Sequence, residues 1–393
     1  MCVKTIQWKK ITFELMKNIN YMNSAGSSIM SDSTVSAIID YLKLEQEIGG
    51  YEAMFAKQSE FEIFYERARS IVNAASVDEI AYTDGGSRGW NALINGLDIS
   101  LIDAFITLSS EYSTNITTLQ LCAQKYGKVL HIIPCDIQGD FDMAQIKELA
   151  NNERCCIAVS QATAQGSICN PMEEIGEIAK ATQSIYIVDA TQSIGQIPID
   201  VQSLHCHAMT ATGRKWLRGP RGTGFIYVKE GAPFFTTSVD GSSSKAYRRN
   251  GKVIVEQIKT ARQFEMWERN YGLMLGLSNA IQEYIDYGIT DVHHRVRDYA
   301  NQIRSAVVSN DHLQLIGRSD SASGIIGIVA HSEAIHDAVL SSFKANDITI
   351  NIMYEWACPL FFDRETKVIR IAAHHDVSQR HIDKVTEVLS GIG

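Results

Sequence analysis

Residues 185–228 read IYIVDATQSIGQIPIDVQSLHCHAMTATGRKWLRGPRGTGFIYV. Three short apolar runs, Ile185 to Val188, Ala208 to Ala211 and Phe225 to Val228, have the length and β-branched or aromatic content of buried strands. Asp189 ends the first run. The second leads directly into Thr212, Gly213, Arg214 and Lys215, with Arg218 and Arg221 following on a glycine-rich turn. Such crowding of cations is unfavourable unless an anion sits among them.

An acid at one strand end and a lysine further along suit a cofactor with a cationic end and an aldehyde end, and pyridoxal phosphate has both. A carboxylate at Asp189 would keep the pyridine nitrogen protonated, so that the ring withdraws electrons from the substrate's α-carbon. The Lys215 amine would hold the aldehyde as a Schiff base, its pKa lowered with the help of Arg214 and Arg218. Thr212 and Arg214 then face the phosphate.

The segments VDATQSIGQIPID and ATGRKWLRGPRGTGFIYV resemble the aspartate-x-x-glutamine and Schiff-base lysine segments of class V aminotransferases, which are fold-type I pyridoxal phosphate enzymes. The similarity is strongest to the branch of isopenicillin N epimerases and hercynylcysteine sulfoxide lyases, and weaker to cysteine desulfurases. It spans roughly residues 20–288 and a patch around Arg370. The fold it implies is α/β, with a mostly parallel central sheet covered by helices on both faces and a smaller α+β C-terminal domain. Residues 1–20 are expected to pack on the small domain, 21–288 to form the cofactor domain, and 289–393 the small one.

The resemblance also assigns roles. Gly86 and Ser87, in the turn Asp84-Gly85-Gly86-Ser87-Arg88-Gly89 that opens a helix, fall beside the family's phosphate loop, and a helix start favours an anion. Tyr112 stands where desulfurases place a histidine against the pyridine face. Gln192 follows Asp189 at the family spacing. Arg370, in Val368-Ile369-Arg370-Ile371-Ala372, is at the position that grips the substrate α-carboxylate. The family's asparagine near the cofactor's phenolic oxygen is replaced by Ala164-Gln165; either Gln165 reaches that oxygen or Gln192 holds it alone. Thr260 to Trp267 resembles a segment at the family's dimer interface, implying a homodimer with active sites at the interface.

The rest of the chain agrees with this reading. Strand-like runs at 80–83, 104–108, 129–133 and 156–160 alternate with helical patterns, as in a parallel sheet. Ser238 to Asn250 is polar and Gly/Ser-rich and is expected to be a surface loop. With 393 residues, 45% hydrophobic content and 6 prolines, the chain can bury a large core. Its net charge of −9 argues against binding nucleic acid by a general positive field. The eight cysteines have no metal-like spacing. No metal is expected, at His374-His375 or elsewhere. Neither a signal peptide nor a membrane span is recognisable, so a cytoplasmic location is expected.

The function these features imply is a pyridoxal phosphate lyase acting on an amino acid, with carbon–sulfur β-elimination from a cysteine conjugate or its sulfoxide as the leading reaction. Desulfuration, epimerisation and transamination are alternatives within the family; a cofactor-free binding protein on the same fold is the remote one. Desulfuration needs a nucleophilic cysteine, and Cys358, twelve residues before Arg370, is the nearest candidate. It lies out of register with the family position.

Overall fold

The computed structural model describes residues 19–363 and 365–393, so the expected packing of residues 1–20 falls almost wholly outside the described residues. The chain opens with β1 (Asn20–Tyr21), then α1 (Asp32–Ile48), α2 (Gly50–Ala56) and α3 (Gln58–Val72). Ser31 caps α1 by accepting the Thr34 amide. The chain turns between α1 and α2 at Gly49, whose φ of 95° suits glycine.

A seven-stranded sheet follows, built from β2 (Ile80–Thr83), β3 (Ala104–Leu108), β4 (Val129–Ile133), β5 (Cys155–Ser160), β6 (Ile185–Asp189), β7 (Ala208–Thr212) and β8 (Gly224–Val228). Its order is β2-β8-β7-β6-β5-β3-β4, and only β8 runs against the others. Helices α4 (Gly86–Gly96), α5 (Ser113–Tyr126), α6 (Met143–Asn152) and α7 (Met172–Thr182) connect the strands. Both faces are covered, and the side chains divide accordingly. Ile157, Val159, Val188 and Met209 join one apolar cluster. Their strand neighbours Cys156, Ala158, Ile187 and Ala208 join another with Trp90 and Phe105. A strand with two buried faces has to be apolar throughout, which is why these runs lack alternation.

After β8 the chain forms an antiparallel ribbon, β9 (Ser244–Arg249) and β10 (Lys252–Gln257), where the sequence suggested a loop. The reason is local: Asn250 and Gly251, at φ of 51° and 77°, form the two-residue turn that matches strand twist. Helices α8 (Tyr271–Tyr287) and α9 (Ile289–Val308) then lead to a second, four-stranded sheet. It contains β11 (Leu313–Ile316), β12 (Ile325–Ala330), β14 (Asn351–Tyr354) and β15 (Lys367–Ala372) in the order β11-β12-β15-β14. Helices α10 (Glu333–Ala345) and α11 (Gln379–Ser390) accompany it, and β13 (Ile348–Thr349) pairs with β1. Its core is a separate apolar cluster around Ile303, Ile326, Phe343 and Ile382.

The segment after β1 ties the two sheets together. The Met22 amide donates to Thr349 O at 2.8 Å, and the Ala372 amide to Met22 O at 2.8 Å. Six residues on, the Ser28 amide donates to Arg214 O at 2.8 Å.

Candidate active site

The carboxyl ends of β5, β6 and β7 deliver Ser160, Asp189 and Thr212 to one edge of the central sheet, the edge at which open α/β sheets bind ligands. A cavity of about 420 Å³ lies there. Nine of the residues singled out in the sequence line it: Gly86, Ser87, Tyr112, Asp189, Gln192, Thr212, Arg214, Lys215 and Arg370. Arg370 arrives from β15, so the second sheet supplies part of the wall. Asn351, Met353 and Trp356, which sequence reading passed over, come from the same side.

The Lys215 amine is buried, and its pKa is pulled down to about 7. Burial is the main cause, followed by the Arg214 and Arg370 guanidiniums, with Asp189 acting in the opposite direction. Arg218 does not have the expected place beside the amine. It adopts a φ of 58° and turns away to pair with Asp376 at 2.9 Å, so Arg370 is the second cation instead.

Asp189 is held at both oxygens. Oδ1 accepts the Thr191 amide at 2.8 Å, and Oδ2 accepts the Asn115 side-chain amide at 2.8 Å. The same Asn115 nitrogen donates to Glu111 Oε2 at 2.9 Å. Glu111 is buried, and burial raises its pKa to about 7 against hydrogen bonds from Ser160 and Asn115. Neither Glu111 nor Asn115 was marked as a site residue from sequence. Glu111 precedes the N-cap of α5 and Asn115 lies in its first turn, so no helical spacing marked them as a pair.

The opposite end of the cavity suits an anion. Helix α4 begins at Gly86 without a side-chain cap, leaving its first amides free to face a ligand. A Cβ on Gly86 would collide with the Thr191 hydroxyl, so the backbone can pass there only as glycine. Thr212 and the half-buried Arg214 stand beside it. On the side of the second sheet, Arg370 is buried and spends Nη1 on Ala164 O at 3.0 Å, while its Nε has no partner. An uncapped helix start, a locked carboxylate and a buried amine of lowered pKa fit the phosphate, ring nitrogen and aldehyde of pyridoxal phosphate.

Gln165 and Cys358 lie behind this wall. The Cys358 thiol donates to Gln165 Oε1 at 3.1 Å, and Gln165 Nε2 donates to Ser110 O at 3.0 Å. Both side chains are fully buried and neither lines the cavity. Gln192 does line it, although Nε2 donates to Ala25 O and Oε1 accepts the Trp216 indole N–H at 3.3 Å. His374 is buried against the Trp216 carbonyl. Among the described residues, no helix is long and apolar enough to cross a membrane.

The Aminotransferase class-V family model matches residues 20–385. A cysteine desulfurase of Pectobacterium atrosepticum is 25% identical over 348 residues, covering 86% of this chain and 84% of that protein. One from Serratia proteamaculans is 24% identical over 353 residues with the same coverage. Among solved structures, the apo cysteine desulfurase of Thermococcus onnurineus superposes with a TM-score of 0.85 at 19% identity, covering 96% of this chain and 95% of that one. The cystine C–S lyase C-DES, in complex with its product cysteine persulfide, superposes with a TM-score of 0.83 at 20% identity, covering 97% and 100%.

Proposed function

The chain belongs to the class V aminotransferase family of pyridoxal phosphate enzymes, and from that premise we propose that it is a carbon–sulfur lyase acting on a cysteine conjugate or its sulfoxide. When bound, pyridoxal phosphate supplies an electron sink that acidifies the substrate's α-proton. The first amides of α4, with Gly86, Ser87, Thr212 and Arg214, would hold its phosphate. Asp189 would face the ring nitrogen, Tyr112 the ring face and Gln192 the phenolic oxygen, while Lys215 would hold the aldehyde.

The substrate's carboxylate goes to Arg370, whose unpartnered, buried Nε marks a site that wants an anion. Lys215 removes the α-proton, a task suited to an amine whose pKa lies near 7. The group on the β-carbon then departs with the electrons of its C–S bond. For a thioether conjugate the products, after hydrolysis with water, are a thiol, pyruvate and ammonia.

The observation that favours elimination over desulfuration is the placement of Cys358. A desulfurase needs a thiolate of its own to take the sulfur. The Cys358 thiol is fully buried, hydrogen-bonded to Gln165, and pushed above the usual thiol range by burial. Among the described residues no cysteine lines the cavity. Desulfuration is the second reading because the curated relatives carry that name.

Incubation with cysteine and with S-substituted cysteines separates the two. Pyruvate and ammonia in equal amounts, retained in Cys358→Ser, support elimination; alanine with protein-bound persulfide, lost in Cys358→Ser, rejects it. We further propose two domains, residues 21–288 and 289–393, and a homodimer. The dimer is supported by the exposed Phe235, Met266 and Trp267, and by a second cavity sharing Asp84 and Arg88 with the first. Light scattering on the purified protein tests it.

A further inference from the structure

The interaction of Glu111, Asn115 and Asp189 goes beyond holding the fold. We propose that Glu111 is a positioning residue for the reaction, acting through the Asn115 amide to hold the Asp189 carboxylate aimed into the cavity. This rests on the reading that Asp189 faces the cofactor's ring nitrogen.

The geometry is specific. Asn115 Nδ2 lies 2.9 Å from Glu111 Oε2 and 2.8 Å from Asp189 Oδ2, so each of its two N–H bonds serves a different carboxylate. Turning the amide over would set its carbonyl oxygen against both acids. The orientation of Asn115 is therefore fixed by the pair of carboxylates, and the Thr191 amide on Oδ1 completes the lock on Asp189. Glu111 is anchored in turn by the Ser160 backbone amide and by the Ser160 hydroxyl at 2.6 Å. Every neighbour that bonds Glu111 can donate, an arrangement that suits an ionised carboxylate.

A buried acid is costly to keep, but an amide in its place would set an N–H group against the amide N–H of Ser160 or of Asn115. The Asp189 carboxylate on the same amide raises the affinity of Glu111 for a proton. When ionised, Glu111 adds negative potential that favours every cation in the cavity. The titratable groups facing Glu111 from other elements are Asp189 on β6 and the Cys358 thiol after β14, which in turn interacts with Arg370 of β15. Of these, Asp189 is the one joined to Glu111 through a hydrogen-bonded bridge.

The test uses the holoenzyme and the pH midpoint of the bound cofactor's visible absorption, with circular dichroism confirming the fold. Glu111→Gln should lower that midpoint by about half a pH unit or more, because a negative charge near the cavity cations is gone. Glu111→Asp, which keeps the charge, should restore it. Asn115→Ala should lower the midpoint as well, and the double variant Glu111→Gln/Asn115→Ala should move no further than the larger single change. A folded Glu111→Gln holoenzyme titrating like the parent overturns the proposal. So does a double variant whose shift is the sum of the two singles. If Glu111→Gln does not fold, an unchanged midpoint in Asn115→Ala overturns it equally. A parent protein that binds pyridoxal phosphate with no titrating band defeats instead the reading of Lys215 and Asp189 on which the proposal rests.

Discussion

His374 Nε2 lies 2.8 Å from the carbonyl oxygen of Trp216, the residue that follows Lys215, and the two rings stack with centroids 5.7 Å apart. The second sheet thus touches the backbone of the lysine segment directly. His374 and His375 are both buried, and burial holds both imidazoles below their usual range, with His374 also lowering His375.

That pair should make the fold acid-sensitive. Histidines with lowered folded pKa values contribute stability that is fully present above the unfolded value of about 6.5 and is lost as pH falls below it. Each can cost up to about 1.4 kcal/mol per pH unit below that value. Thermal melts of the parent should therefore fall between pH 6.5 and 4.5. His375→Leu should flatten the fall, and an equally steep decline in that variant counts against the assignment.

Capture of pyridoxal phosphate by the apoprotein should follow the Lys215 amine. Only the neutral amine attacks an aldehyde, and with a pKa of about 7 its neutral fraction rises roughly tenfold from pH 6 to pH 8. Reconstitution rates measured by absorbance should rise in that window and level off above it. A rise centred near pH 10 would show that Lys215 is not perturbed.

Arg370→Ala should raise KM for the amino-acid substrate by roughly 30-fold or more, the factor equivalent to about 2 kcal/mol for breaking a buried charge pair. Amines without the α-carboxylate should be nearly insensitive to the change. Steady-state kinetics on both substrate types distinguish a carboxylate clamp from a general loss of structure.

Cys358→Ala should cost about 1–2 kcal/mol of stability, since it opens space in the buried cluster with Ile316, Met353 and Val368. It should leave lyase turnover within about twofold, since no contact with the cavity is lost. Denaturant titration and a pyruvate assay on the same preparation measure both.

Much of this was legible in the chain because strand ends advertise themselves. Asp189, Thr212 and Lys215 each follow a short apolar run, and a polar group at the end of a buried strand has to emerge at the sheet edge. The contacts of Arg218 were not legible: its left-handed backbone turns the side chain to Asp376, a partner 158 residues away. The β9–β10 ribbon was hidden by its polar composition, although Asn250-Gly251 between Tyr247 and Ile254 was the mark of a hairpin. Gln165 looked like a substitute cofactor ligand in sequence. Only tertiary packing reveals that Cys358 and Ser110 occupy both ends of its amide.

The stretch from Met22 to Ser28 acts as a tendon. It is anchored to β15 at one end and to Arg214 at the other, and Gln192 grips it at Ala25 on the way. Any rocking of the sheet that carries Arg370 must pull on Gln192 and Arg214 too, so the two sides of the cavity are mechanically one adjustment.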